Sequence, residues 1–123
     1  MDAKLVLLAE DHPAARTMMR EVLTQAGWQV EAYATGDQLL TALTWRFDLL
    51  GTPPDAVVTD VRLPGCTGLE VVARLRRYDP VTRVVLVTAF PDAEIEQRAW
   101  ALGAQLLPKP FEPDQLTRAT GGP

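Results

Sequence analysis

The chain has 123 residues, 47% of them hydrophobic and 23% charged, with a formal net charge of −4. That length fits one domain with a substantial core, and the acidic balance favours neither nucleic acid nor an anionic membrane as partner. No apolar run approaches the ~20 residues of a membrane span. Met1-Asp-Ala-Lys4 lacks a signal-peptide pattern, and the single cysteine, Cys66, excludes an internal disulfide or a cysteine metal cluster. Residues 1–123 are expected to form one cytoplasmic domain, with a core over about 4–119 and a tail at 120–123.

Leu5–Ala9 is apolar on both faces, as a buried central strand is. Pro13–Ala26 repeats Ala15, Met18, Met19, Val22, Leu23 and Ala26 at helical spacing, with Pro13 suited to a helix start and Gly27 to a stop. Trp28–Tyr33 alternates, which predicts a half-exposed edge strand. Thr35-Gly-Asp-Gln38 has capping-box spacing and opens a second helix. That helix is expected to turn Leu39, Leu40, Leu43, Phe47 and Leu50 inward and to break at Gly51-Thr-Pro-Pro54. Its aromatics cap the core in the simpler reading; the sharper alternative is an exposed Trp45–Phe47 patch for a partner.

Ala56–Thr59 predicts the third strand, and a capping box at Thr67-Gly-Leu-Glu70 opens a helix reaching Tyr78. Arg83–Val87 predicts the fourth strand, followed by a helix capped by Asp92 and stopped at Gly103. A short strand around Ala104–Leu107 precedes a final helix from Pro113 to about Ala119, and Thr120-Gly-Gly-Pro123 is not expected to extend it. Five β/α units of this kind predict an α/β fold: a flavodoxin-like, doubly wound, five-stranded parallel sheet in the order 2-1-3-4-5 with a short final helix.

Four of the apolar runs stop at polar residues: Glu10-Asp11, Asp60, Thr88, and Lys109 after Pro108. In a parallel sheet the carboxyl ends share one edge, so these residues converge there. Three carboxylates in one crevice repel each other, and a hard divalent cation such as magnesium, which takes a few carboxylate oxygens and keeps its waters, is the physical remedy. Asp60 is then placed as a nucleophile able to take a phosphoryl group as an aspartyl phosphate. The Lys109 ammonium, aimed by flanking prolines, would neutralise charge, the Thr88 hydroxyl would donate a hydrogen bond, and Ala89 would leave room for the incoming group.

Ala9-Glu-Asp-His-Pro13, Pro54–Gly65 with Gly68, Val87-Thr-Ala89 and Pro108-Lys-Pro-Phe111 together resemble the receiver domain of two-component response regulators, from about Lys4 to Leu116. The resemblance implies a phosphoprotein switch in signal transduction or a phosphorelay. Asp60 would be the phosphoacceptor, and Glu10, Asp11, Asp60 and the backbone carbonyl of Arg62 the Mg2+ ligands. Thr88 and Lys109 would register the phosphoryl group, and Lys109–Pro110 would be cis. The implied donors are a sensor histidine kinase, a histidine phosphotransfer protein, or small acyl phosphates. The implied protein catalyses its own phosphorylation and dephosphorylation without being an independent enzyme. Its usual homodimer or output face is helix four, strand five and helix five; no nucleic-acid or membrane contact is expected through this domain.

The chain departs from the family pattern at Leu106, where an aromatic residue is usual, and the Gly103–Lys109 spacing is one residue short. A leucine offers neither the hydroxyl nor the rotamer switch of the usual threonine–aromatic coupling. Phe90 or Trp100 would substitute for the ring or, in the simpler reading, pack. Arg62, Leu106 and Cys66 are candidates for tuning, and His12 for a cap or the crevice rim. The short final helix fits a weakened output surface or the N-terminal piece of a longer regulator, beside a stand-alone receiver. The competing functions are a haloacid dehalogenase-type phosphatase, which wants an aspartate where Arg62 stands, and a flavin carrier, which wants a hydroxyl-rich loop where Glu10-Asp11 stand. A degenerate receiver acting as a phosphorylation-independent interaction module is the remaining alternative.

Overall fold

The computed structural model describes residues 4–123; Met1–Ala3, part of the stretch read for targeting signals, lies outside the described residues. The strands are β1 (Leu5–Ala9), β2 (Gln29–Tyr33), β3 (Ala56–Asp60), β4 (Arg83–Thr88) and β5 (Gln105–Pro108). The helices are α1 (Pro13–Gln25), α2 (Gly36–Trp45), α3 (Gly68–Tyr78), α4 (Ala93–Ala101) and α5 (Pro113–Thr120). The five strands form one sheet in the order β2-β1-β3-β4-β5, and every pairing is parallel, as the element pattern predicts.

Period-two alternation splits the central strands between two cores. Leu5, Leu7, Ala9, Val57, Val84 and Leu86 face a cluster closed by Leu39 and Leu43 of α2, Val72 and Leu75 of α3, and Ile95 of α4. Val6, Leu8, Val58, Val85 and Val87 face the other cluster, closed by Met19 and Leu23 of α1 and Leu116 of α5. Each fully buried leucine of this kind is worth about 1.5–3 kcal/mol over an exposed one.

Local signals set most boundaries. The Thr67–Glu70 box closes on itself: Glu70 N–H donates to Thr67 Oγ1 at 3.2 Å, and Thr67 N–H to Glu70 Oε1 at 3.1 Å. At α2 the box is only half made, because Gln38 Oε1 accepts from Ala34 N–H in place of the Thr35 N–H. Trp28 precedes β2 and is buried, and α5 runs through a buried Thr120, whose hydroxyl donates back to Leu116 O at 3.1 Å.

The link between α2 and β3 departs from expectation. Arg46–Leu50 winds as a π-helical turn, with Gly51 in the left-handed region at φ 66°. A wider turn rotates the residues away from the 3.6 period on which an inward Leu50 was expected. Leu50 is 49% exposed, Leu49 67% and Trp45 52%. Phe47 does cap the core, stacking on Tyr78 with ring centroids 5.3 Å apart.

Arg76, on α3, supplies a tie that no sequence pattern announces. Its guanidinium donates to Leu102 O and Thr82 O, both at 2.7 Å, fastening the end of α3 to the turns before β4 and β5.

Candidate functional site

Strand register explains the convergence. Ala9 pairs with Thr59, Asp60 with Val87, and Thr88 with Pro108, so Glu10, Asp60, Thr88 and Lys109 stand in a row at the carboxyl edge. Backbone bonds continue across that edge: Glu10 N–H to Tyr33 O at 3.0 Å, Val61 N–H to Val87 O at 2.9 Å, and Lys109 N–H to Thr88 O at 2.8 Å. The start of α3 comes tight against β3, since Gly68 N–H donates to Val61 O at 2.9 Å. A Cβ at Gly68 would run into the Asp60 carbonyl, so only glycine allows the approach.

The carboxylates of Glu10, Asp11 and Asp60 offer oxygens all within 4.8 Å of one another. Glu10 is 1% exposed and Asp60 8%, whereas Asp11 is open to solvent. The Lys109 ammonium pairs with Glu10 Oε1 and lies 2.8 Å from Asp60 Oδ2. Backbone donors take the other oxygens: His12 N–H to Glu10 Oε2 at 3.1 Å and Arg62 N–H to Asp60 Oδ1 at 3.0 Å. From α1, the Arg16 guanidinium donates to Glu10 O at 2.9 Å, which fixes the acidic turn from behind.

Burial pushes the Glu10 carboxyl above its ordinary value; the contacts with Lys109 and His12 N–H pull it down, and Asp11 and Asp60 raise it further. Burial acts on Lys109 in the opposite sense, but its hydrogen bonds and attraction to Asp60 and Glu10 outweigh it, so the ammonium titrates above its ordinary value. Three carboxylates against one ammonium leave two negative charges in a mostly buried cleft. A divalent cation fits that deficit. An all-oxygen donor set with one open side suits magnesium, which retains several of its waters.

The other expected residues fall around this cluster. Thr88 is fully buried and its hydroxyl accepts Phe90 N–H at 3.1 Å, while Ala89 is exposed at the mouth. Lys109–Pro110 is cis. Leu106 is half-buried against the core shared with α3 and α4. Phe90 and Trp100, expected to pack, are instead 67% and 84% exposed. Arg62 extends over the Phe90 ring, 5.6 Å from its centroid, a contact the sequence reading missed. His12 occupies the N-cap position of α1, but its side chain makes no cap bond. Contact with the Asp37 carboxylate pushes the Cys66 thiol up, away from the reactive thiolate.

An open groove of about 500 Å³ lies beside the cluster, between Ala15 and Met18 of α1 and Lys109, Pro110 and Phe111. A slightly larger hollow of about 520 Å³ sits between β2 and α2, flanked by Tyr33 and Trp45, and contains none of the converging carboxylates. The first groove is lined by Ala89 and Lys109 of the site, and the second by none of the converging residues. Among the described residues no helix is long and apolar enough to cross a membrane.

Comparison with known proteins agrees with the geometry. The family model described as response regulator receiver domain matches residues 6–120. The chain is 30% identical over 115 residues to the sporulation initiation phosphotransferase F of Bacillus subtilis, covering 93% of this chain and 88% of that protein. It is 29% identical over 116 residues to the DNA-binding transcriptional regulator NtrC of Klebsiella pneumoniae; this match covers 94% of the chain but only 24% of the regulator's length. Among solved structures it is similar to the chemotaxis response regulator CheY4 of Vibrio cholerae, with a TM-score of 0.79, 29% identity and 95% of each chain covered.

Proposed function

This chain belongs to the response regulator receiver domain family, and on that premise we propose that it is a cytoplasmic phosphoacceptor switch with Asp60 as the acceptor. The observation that carries the reading is the Asp60 carboxylate held by Lys109 on one oxygen and the Arg62 N–H on the other, with Glu10 and Asp11 alongside.

The donor is a phosphohistidine of a sensor kinase or phosphotransfer protein, or a small acyl phosphate. An Asp60 oxygen forms the new bond to phosphorus as the bond from phosphorus to the imidazole nitrogen breaks, and the nitrogen keeps the electron pair. Catalysis is mostly positioning and charge neutralisation. Glu10, Asp11, Asp60 and the Arg62 carbonyl would hold Mg2+, which supplies positive charge against the phosphoryl oxygens. Lys109 would neutralise from the loop after β5, and Thr88, at the end of β4, would turn its hydroxyl to a phosphoryl oxygen. The groove between α1 and the Lys109–Phe111 segment adjoins the acceptor and suits a phosphodonor helix. Trp100 of α4 is exposed, and the α4–β5–α5 face would serve self-association. The acid pair, acceptor and lysine are all present, so a phosphorylation-independent module is the weaker reading.

The test is intact mass after incubation with acetyl phosphate and magnesium. Wild type gains one phosphoryl group and an Asp60→Asn variant gains none. No gain on wild type, or equal gain on the variant, would overturn the assignment.

A further inference from the structure

The outer surface of α2 is unlike that of the other helices. Gly36–Trp45 carries one charged residue, Asp37, where each of the other helices carries two to four. Leu39 and Leu43 of α2 are spent on the core. A different side of the helix borders the hollow of about 520 Å³ against β2, where Asp37, Gln38, Thr41, Ala42, Trp45 and the following Arg46 form one wall. Trp45 is 52% exposed there. A helix face so poor in charge, with a large ring at the edge of an open hollow, is suited to packing against another element.

The two charges at the ends of this face lack counter-ions. Asp37 is exposed, and its carboxylate meets the Cys66 N–H at 3.4 Å and the Cys66 thiol. Arg46 is half-buried, and its Nε is shut off from solvent without a hydrogen-bond partner. No ion pair among the described residues uses either side chain. A buried donor left unpaired costs free energy that a carboxylate opposite it would recover.

The face is complementary to itself. A two-fold axis passing between Thr41 and Ala42 lays a second α2 antiparallel to the first. It sets Asp37 opposite Arg46, Gln38 opposite Trp45, and Thr41 opposite Ala42. The small residues at the centre suit the approach of two helix axes to about 8–10 Å. Parallel docking of the same faces would instead put Asp37 against Asp37 and Arg46 against Arg46, so the charges select the antiparallel arrangement.

We propose that α2 and the hollow beside β2 form a self-association face, occupied by a second copy of this chain and held by two Asp37–Arg46 ion pairs and two Trp45 rings. The proposal stands apart from the phosphoacceptor reading and from the α4–β5–α5 face. One helix face with the strand beside it makes a small interface, below about 1,200 Å² of total buried surface, so the association is weak. It is expected at protein concentrations of about 0.1–1 mM.

The test is sedimentation velocity over that range. Wild type is expected to dimerise. Asp37→Lys and Arg46→Glu each set two pairs of like charges together and are expected to weaken association at least about tenfold. Mixed in equal amounts, the two variants place opposite charges at both contacts, and association is expected to return to near the wild-type value. Recovery in the mixture also shows that both variants fold. If either fails to fold, Asp37→Asn, which keeps an oxygen for the Cys66 N–H, and Arg46→Gln take their places; each is expected to weaken association, and unchanged association in both overturns the proposal. A wild type that stays monomeric throughout overturns it, and is what a face built for a helix of another protein would give. Dimers that neither charge variant weakens overturn it in favour of another face, and a mixture no more associated than its parts refutes the antiparallel pairing on which it stands.

Discussion

The Lys109 ammonium stands 2.8 Å from Asp60 Oδ2, so the loop after β5 supplies the counter-ion for the acceptor at the end of β3, and the same ammonium reaches Glu10 in the loop after β1. Removing it leaves two buried carboxylates facing each other. Lys109→Met is expected to lose about 2 kcal/mol of stability without magnesium, between the values for exposed and fully buried pairs. Magnesium is expected to restore more stability to the variant than it adds to wild type. Urea unfolding with and without the ion checks this, and an equal magnesium increment in both proteins contradicts it.

Glu10 makes the complementary case. Its folded value is raised, chiefly by burial. Its favourable contribution is therefore complete below the ordinary value of 4.5 and is lost as pH rises through the folded value, so the ionised side chain is a burden at neutral pH. In metal-free protein Glu10→Gln is expected to raise the urea midpoint at neutral pH, with the advantage shrinking as pH falls toward 4.5. Saturating magnesium should reverse the order, because glutamine is the poorer ligand. A Glu10→Gln variant less stable than wild type without metal refutes the burial argument.

Leu43 and Leu50 separate the two halves of the α2 region. Leu43 is 2% exposed and Leu50 49%. Leu43→Ala is expected to cost about 3 kcal/mol, and Leu50→Ala within about 0.5 kcal/mol of nothing. Comparable losses in thermal or urea unfolding would place Leu50 in the core after all.

Tyr33, at the end of the edge strand, donates its hydroxyl to Glu31 Oε1 at 3.0 Å. Burial, with Glu31 next in weight, pushes its pKa up to about 12. The chain has two tyrosines, so a Tyr78→Phe protein reports Tyr33 alone by ultraviolet absorbance of the phenolate. Its midpoint is expected near about 12 and to fall when Glu31→Gln is added. A midpoint unmoved by that substitution would remove Glu31 as a cause.

Much of the fold was legible because each signal is local. The apolar run Leu5–Ala9, the alternating Gln29–Tyr33 and the Thr67–Glu70 box act through neighbours a few residues away, and they fixed the strand order and most helix starts. Leu50 was misread because a single π-helical turn breaks the period without leaving a compositional mark. Phe90 and Trp100 were misread because aromatic bulk is core-like on average and says nothing of which way a loop or helix face points.

By itself the sequence determined that Glu10, Asp11, Asp60, Thr88 and Lys109 meet, because a parallel sheet sends every strand exit to one edge. The tertiary structure decided how they meet. It gave Lys109 to Glu10 as well as Asp60, set Arg16 behind the acidic turn, tied α3 down through Arg76 and laid Arg62 on Phe90. These pairings join residues that stand 6 to 99 positions apart, and their partners are chosen by distance and desolvation in the packed molecule, quantities no local pattern encodes.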